Sequence, residues 1–110
     1  MELVTIDLLR THCRADSTDD SLLEVYGSTA EESAQAYLNR RVYPTPEQLA
    51  AGVLDGTAGN DPMLVTSAIR AAVLLIAASL YRNREEGPET RTLPIGAQAL
   101  LQPLRVGLGV

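Results

Sequence analysis

The sequence predicts an all-α fold, a small bundle of about four helices, of which two are long and two or three are short. Two long segments place apolar residues three and four positions apart, the spacing that lines one face of an α-helix. Capping residues and prolines mark the boundaries of these segments, and none alternates apolar and polar residues as a half-buried strand does. The length of 110 residues favours a single domain, residues 1–110.

The composition excludes several kinds of protein. Hydrophobic residues make up 45% of the chain and charged residues 21%, as in a folded domain, and the absence of Phe and Trp predicts an aliphatic core. A net charge of −5 disfavours tight, sequence-blind binding to nucleic acid or to an anionic membrane. The single cysteine, Cys13, forms no internal disulfide, and the longest apolar run is far shorter than the roughly 20 residues that span a bilayer. We expect no membrane partner and a protein made and folded in a cytoplasm.

The first helix is predicted over residues 5–13. Thr5 is placed to cap it, and Asp7 adds a negative charge in its first turn, where the helix dipole favours one. His12 beside Cys13 suggests a nucleophile with its base, but adjacent residues on a helix do not face each other. We therefore expect Cys13 to pack in the core and His12 to face solvent.

The second helix is predicted over residues 19–41, where the apolar residues form one stripe. Ser21 and Glu24 have the spacing of a capping box at its start. Gly27 costs about 1 kcal/mol relative to alanine in a helix interior. We nevertheless expect one unbroken helix.

The connection over residues 42–61 contains the signals of a short helix. Thr45 is a capping residue, Pro46 suits the first helical position, and Gln48 completes a capping box. Gly52 is then the candidate end of this helix.

The longest helix is predicted to begin at Asp61 and Pro62 and to stop at Gly87 and Pro88. Its residues 71–78 are apolar on every face, which is typical of a helix buried on all sides. Few other helices are available in a chain of this size, so contacts with other subunits are one source of the missing neighbours.

The sequence allows two environments for each of three arginines in this helix, Arg70, Arg82 and Arg84. Arg82 and Arg84, beside Glu85 and Glu86, form either a solvated helix end or ion pairs across a subunit boundary. Arg70, in an otherwise apolar stretch, either reaches from a core helix to water or marks a wet interface or lumen.

The last predicted helix covers residues 95–102, between Pro94 and Pro103, and an apolar tail follows it. No catalytic constellation accompanies these elements. Pairs of adjacent acids at 19–20, 31–32 and 85–86 lie at helix starts or on polar faces, so we expect them to be solvated. The glycines follow neither a phosphate-loop nor a dinucleotide pattern. The sequence predicts no catalytic residue, no metal site and no cofactor.

The chain resembles the head–tail connector (adaptor) proteins of long-tailed bacteriophages and prophages. The resembling segments are LVTIDLLRTHCRAD, DDSLLEVYGSTAEESAQAYLNRR, AIRAAVLLIAASLYRNRE and LPIGAQALLQPLR, which together span residues 3–105. The most specific are LYRNRE, from Leu80 to Glu85, and the proline-framed LP…ALLQPLR, because both occur in order and at suitable spacing.

The resemblance implies a structural virion protein without catalysis. Such proteins form rings, typically of about twelve subunits, through head-to-tail contacts. The ring docks below the portal protein and extends the channel, through which double-stranded DNA passes without specific binding. It also offers a surface to the next connector or tail-completion protein. The implied location is the head–tail junction of the virion, after assembly in the cytoplasm of the bacterial host.

Two sets of residues are candidate contact sites under this interpretation. The candidate subunit interface comprises Arg70, Val73, Leu74, Ala77, Tyr81, Arg82 and Arg84. A C-terminal arm over residues 93–110 is the candidate contact with the portal or a neighbour, through Leu93, Pro94, Ile95, Leu100, Leu101, Leu104 and Arg105.

A second interpretation assigns the chain to another functional class, a small all-α regulatory or antitoxin-like dimer that binds proteins through an apolar groove. Its support is compositional only. The oligomeric state separates the two interpretations, because a ring favours the connector and a stable small dimer favours the regulator.

Overall fold

A computed structural model describes residues 1–83 and 93–106 of the chain. The described residues are mostly helical, which confirms the predicted all-α class, with a two-stranded sheet that the sequence pattern did not indicate. The elements in chain order are α1 (Ile6–Cys13), α2 (Asp20–Leu38), β1 (Val42–Tyr43), α3 (Pro46–Asp55), β2 (Met63–Leu64), α4 (Ser67–Arg82) and α5 (Ile95–Leu101). Single 3₁₀ turns precede α2 and follow α5, at Ser17–Asp19 and Gln102–Leu104.

The first helix forms where the sequence predicts it. The Thr5 hydroxyl accepts a hydrogen bond from the Leu8 amide at 3.2 Å, which satisfies one of the free N–H groups of the first turn. The helix ends because Arg14 adopts a left-handed backbone conformation, with φ of 55°.

The second helix begins close to the predicted residue but with a different cap. The predicted capping box at Ser21 is wrong, because the chain is already helical at that point. The 3₁₀ turn feeds directly into α2, and Asp16, not Ser21, caps this turn by accepting from the Thr18 amide. The helix ends at Leu38, short of the predicted end, since Asn39 is left-handed with φ of 59°.

Gly27 lies in the middle of an unbroken α2, as predicted, and close packing explains why this residue is glycine. A Cβ atom built at this position would lie 2.1 Å from Met1 Sδ and 2.7 Å from Leu9 Cδ1. The missing side chain therefore lets the N-terminal residues and α1 approach the α2 backbone.

The short helix α3 starts with the predicted cap and ends later than predicted. The Thr45 hydroxyl accepts from the Gln48 amide at 3.2 Å, and the chain leaves the helix at Gly56, which has φ of 84°. Gly52 does not end the helix. Its missing side chain instead makes room for the ring of Tyr43. A Cβ atom there would lie 2.4 Å from the Tyr43 hydroxyl oxygen.

The two strands form a short parallel pair, with Val42 opposite Met63. The Met63 amide donates to the Arg41 carbonyl and the Val65 amide donates to the Tyr43 carbonyl, both at 2.9 Å. This pairing joins the segment that leaves α2 to the segment that enters α4.

The pairing also explains why α4 starts later than the predicted cap at Asp61 and Pro62. Residues 63–64 are held in extended conformation, so the helix begins only at Ser67. Thr66 is the actual cap, and its hydroxyl accepts from the Ile69 amide at 3.2 Å. The predicted stop at Gly87 and Pro88 lies outside the described residues.

The fourth helix is the centre of the bundle, and α1, α2 and α5 pack around it. Most of the apolar surface that predicted neighbours on every side is thus covered by three helices of the same chain, whereas Ala71, Leu74 and Leu75 stay partly exposed. The buried residues of α4 are Ile69, Ala72, Val73, Ile76, Ala77 and Ala78.

Replacing Gly27 with leucine should destabilise the folded protein. The new side chain must displace the Leu9 side chain, which is fully buried, and overpacking of this kind costs about 1–3 kcal/mol of unfolding free energy. Urea unfolding measures the loss. The matched control is Ala36→Leu, at an exposed position of the same helix. Equal stability of the two variants would contradict the packing role of Gly27.

Candidate functional site

A buried carboxylate holds the N-terminal segment against the bundle. Glu31, on α2, is 6% exposed, and its oxygens accept hydrogen bonds from the backbone amides of Glu2 at 3.0 Å, Leu3 at 2.7 Å and Val4 at 3.1 Å. On the other side, Arg70 Nε of α4 donates to the Leu3 carbonyl at 3.2 Å. Residues 2–4 are therefore fixed between α2 and α4. We call this arrangement the N-terminal clamp.

The clamp corrects the expectation that the acidic pair 31–32 is solvated. Glu32 is exposed, as expected, but Glu31 is not. The signal was available in the spacing, because Gly27, Glu31, Ala34 and Leu38 fall four, three and four residues apart along the buried face of α2.

A second polar contact joins the other ends of the long helices. The Tyr81 hydroxyl, near the end of α4, donates to Asp19 Oδ2 at 2.5 Å, at the start of α2. Beside it, Arg10 Nε of α1 donates to Asp20 Oδ1 at 2.7 Å. The pair 19–20 is thus not simply solvated. These contacts show that α2 and α4 run antiparallel, with α1 beside their junction.

The candidate subunit-interface residues lie in three different environments. Val73 and Ala77 are buried in the core of the chain itself. Leu74 and Tyr81 are partly buried, and Arg70 and Arg82 are exposed. Arg84 lies outside the described residues.

The C-terminal segment packs on the bundle over residues 93–106 and is not a free arm there. Leu101 is fully buried against the core, whereas Ile95 is 85% exposed. Four further candidates are partly buried: Leu93, Pro94, Leu100 and Leu104. Residues 107–110 lie outside the described part of the chain.

Hydrogen bonds fix the end of this segment to α2. Arg105 is exposed, but its Nε donates to the Tyr37 carbonyl at 2.8 Å, and its guanidinium lies 4.7 Å from the centre of the Tyr37 ring. The Val106 amide donates to the Leu38 carbonyl at 2.9 Å. The segment is docked because its apolar face completes the cover of α4.

His12 and Cys13 line a cleft of about 350 Å³ between the C-terminal ends of α1 and α4. His12 is exposed, as predicted, and Cys13 is partly buried. Burial raises the pKa of the Cys13 thiol, against a smaller opposing effect of Arg82. The geometry therefore does not favour a thiolate nucleophile. We call this feature the α1–α4 cleft; it is lined by His12, Cys13, Arg14, Leu75, Ala78, Tyr81, Arg82 and Pro94.

A second cleft, of about 500 Å³, lies at the opposite end of the bundle, between the end of α2 and the loop at residues 58–60. Its lining is mostly polar. Arg40 contributes to it but is engaged in the fold, because Nε donates to the Asp61 carbonyl at 2.8 Å and Nη1 to the Leu104 carbonyl at 3.1 Å.

Exposed apolar side chains occur at separate places on the surface, and sequence reasoning identified only one of them, Ile95. The most exposed is Leu54 at the end of α3, with 90% of its surface accessible, beside Val53 at 56%. Val25 on α2 is 60% exposed. No sequence signal marks Val53 and Leu54 as exposed, because only the fold shows that α3 leaves them uncovered.

The described residues thus define a small helical protein that offers surfaces for binding. Among them, no three His, Cys, Asp or Glu side chains are grouped to hold a metal ion. None of the helices in the described part is both long and apolar enough to cross a bilayer.

Comparison with protein-family models identifies the family of this small helical protein. The family model of the phage gp6-like head-tail connector protein matches residues 4–105, and the chain belongs to this family. The predicted resemblance is confirmed. The family is one of phage structural proteins, which implies assembly with other proteins of the virion. Comparisons with curated proteins and with solved structures give no significant match.

Replacing Glu31 with glutamine should loosen the N-terminal clamp. The amide keeps one acceptor oxygen but turns an NH₂ group toward backbone donors, so we expect a loss of about 2 kcal/mol in unfolding free energy. Urea unfolding and hydrogen exchange of the amides of residues 2–4 measure the effect. Glu32→Gln is the matched control, and indistinguishable results for the two variants would contradict the clamp.

The Arg10–Asp20 pair should contribute to stability at neutral pH and not in acid. The hydrogen bond from Arg10 lowers the pKa of Asp20 below its ordinary value, so the contribution is present above about pH 4 and is lost as the pH falls through the folded-state pKa. We expect the difference in urea midpoint between the natural chain and Asp20→Asn to shrink below pH 4. A difference that is constant from pH 7 to pH 3 would contradict this assignment.

Proposed function

We propose that the chain is the subunit of a closed ring of about twelve copies that sits below the portal protein at the head–tail junction. The ring extends the DNA channel and joins the packaged head to the tail. The observation that carries the proposal is the connector-family match over residues 4–105, nearly the whole chain.

The surface of the subunit supports assembly by head-to-tail contacts. A ring of identical subunits needs two different surfaces, one of which meets the other on the next copy. The subunit has different surfaces at its two ends, because the end of α3 carries exposed apolar residues and the α1–α4 cleft lies at the junction of α1, α2 and α4. Because the core is closed within the chain, such contacts need no opening of the bundle.

The charge of the subunit supports passage of DNA without binding. Each copy carries a net charge of −5, which multiplies around a ring. A negative lumen repels phosphate groups, whereas a basic lumen would hold them. The double-stranded DNA is therefore a passing cargo in this proposal and not a ligand.

The docked C-terminal segment is the proposed contact with the portal. Ile95 projects from the start of α5 with 85% of its surface exposed, while Leu101 on the opposite face anchors the same helix in the core. An exposed aliphatic residue on a rigidly anchored helix is suited to bury itself in a partner without ordering a free arm.

Native mass spectrometry of the chain mixed with the portal protein of the same phage tests the proposal. We expect one complex that contains a ring of about twelve copies.

Ile95→Asp should weaken portal binding about tenfold or more without lowering the unfolding free energy, because the side chain is exposed in the subunit.

The control for this substitution is Val25→Asp, at another exposed apolar position, on α2. Unchanged portal affinity of Ile95→Asp would contradict the assigned contact. A stable dimer that does not bind the portal would contradict the ring and favour the regulatory interpretation.

A further inference from the structure

The end of α3 projects from the subunit as an apolar point with an acid beside it. We call Val53, Leu54 and Asp55 the α3 tip. Leu54 is 90% exposed, and Asp55 is exposed as well. The chain turns away immediately afterwards at Gly56, and a Cβ built there would have no neighbour within 4 Å, so the tip stands at a corner of the molecule.

The Asp55 side chain is held in place by the turn that follows. Its Oδ1 accepts from the Thr57 amide at 3.0 Å and from the Thr57 hydroxyl at 2.6 Å. These hydrogen bonds lower the pKa of Asp55, so the tip carries a negative charge at neutral pH. The tip therefore combines an exposed aliphatic side chain with an oriented carboxylate.

The α1–α4 cleft has the complementary chemistry. Leu75 and Ala78 of α4 provide apolar lining, and Arg14 and Arg82 are exposed at its edge. Among the described residues no carboxylate forms a salt bridge with either guanidinium. The cleft thus offers apolar surface for an aliphatic side chain and cations for a carboxylate, although the chain as a whole is acidic.

The tip and the cleft lie at opposite ends of the bundle. The tip belongs to α3, which packs on β1 and β2, where α2 ends and α4 begins. The cleft lies where α4 ends, beside the contact of Tyr81 with Asp19. With about 1.5 Å per residue, the 16 residues of α4 separate the two ends by roughly 24 Å. The tip cannot reach the cleft of its own chain, but it can reach that of a second copy.

We propose that the α3 tip of one subunit inserts into the α1–α4 cleft of the next, with Leu54 against Leu75 and Ala78 and with Asp55 paired to Arg14 and Arg82. The occupant of the cleft is a second copy of this chain. The contact is heterologous, since tip and cleft are different surfaces, and therefore repeats around a ring. The inference rests on the proposed ring and specifies the contact that closes it.

Chemical crosslinking through the natural cysteine tests this contact. Cys13 lines the cleft and is the only cysteine in the sequence, so Leu54→Cys places a second thiol on the tip. In the presence of the portal protein and at about pH 8.5, where a thiol of raised pKa still forms some thiolate, a short bismaleimide crosslinker should then give a ladder of covalent dimers, trimers and larger oligomers, because each copy supplies one tip and one cleft.

Two matched variants identify the partners of the crosslink. Leu54→Cys combined with Cys13→Ser should give no ladder, and Val25→Cys, an exposed position on α2, should give none with Cys13 present. Dimers of Leu54→Cys that persist without Cys13 would indicate a symmetric tip-to-tip contact and overturn the proposal. An equal ladder from Val25→Cys would overturn it as well.

Electron microscopy of the same samples separates the inference from the proposed function. Rings without a ladder would overturn the tip–cleft contact and leave the ring function standing. The absence of rings from the natural chain with its portal would overturn both.

Charge reversal adds an independent check, since Arg82→Glu should lower ring yield about tenfold or more, and mixing with Asp55→Arg should restore part of it.

Discussion

Most of the apolar surface of α4 is covered by α1, α2 and α5 of the same chain, and the arrangement of these helices depends on this burial. Ile69 and Val73 are fully buried, and Leu9, Leu23 and Leu101 of the surrounding helices are fully buried against the same core. With no Phe or Trp, this core is aliphatic and built from many small contacts. Small residues such as Gly27 permit the close approach that aliphatic packing needs.

Polar contacts then fix the ends of the bundle that the aliphatic core leaves free. Glu31 holds the N-terminal segment between α2 and α4, and the hydroxyl of Tyr81 joins the end of α4 to the start of α2. At the end of the bundle where α2 finishes and α4 begins, the short parallel pairing of β1 with β2 positions α3 outside the helical core. A closed core with an outlying helix leaves the proposed contact surfaces separate from the residues that stabilise the fold.

Local signals in the sequence predicted the elements whose boundaries are set locally. Thr5 and Thr45 cap helices where capping chemistry indicates, because each cap depends on residues three positions away. The start of α4 was predicted too early, because strand pairing with residues 21 positions upstream holds the chain extended there. The hydrogen bonds of Glu31 and the packing role of Gly52 likewise depend on distant partners. The pairing of two adjacent acids therefore suggested a solvated Glu31, and turn chemistry suggested a helix end at Gly52.

The candidate contact residues likewise divide into features that a local pattern predicts and features that only the fold determines. The apolar α4 pattern was correct as evidence of burial, but part of it was assigned to neighbouring subunits, whereas Val73 and Ala77 pack within the chain. Leu54 has no special sequence signature, and its exposure follows only from the placement of α3. The family resemblance, which depends on the order of whole segments, was a more reliable guide to function than any single residue.

We propose that the helical bundle is stable within one chain and that assembly uses its outer surfaces. Hydrogen exchange of the α4 amides in the monomeric protein, separated from the portal and from other copies, is the test. We expect these amides to exchange only through global unfolding, with the highest protection in the chain. Rapid exchange of the α4 amides in the monomer, with protection gained only on assembly, would contradict it.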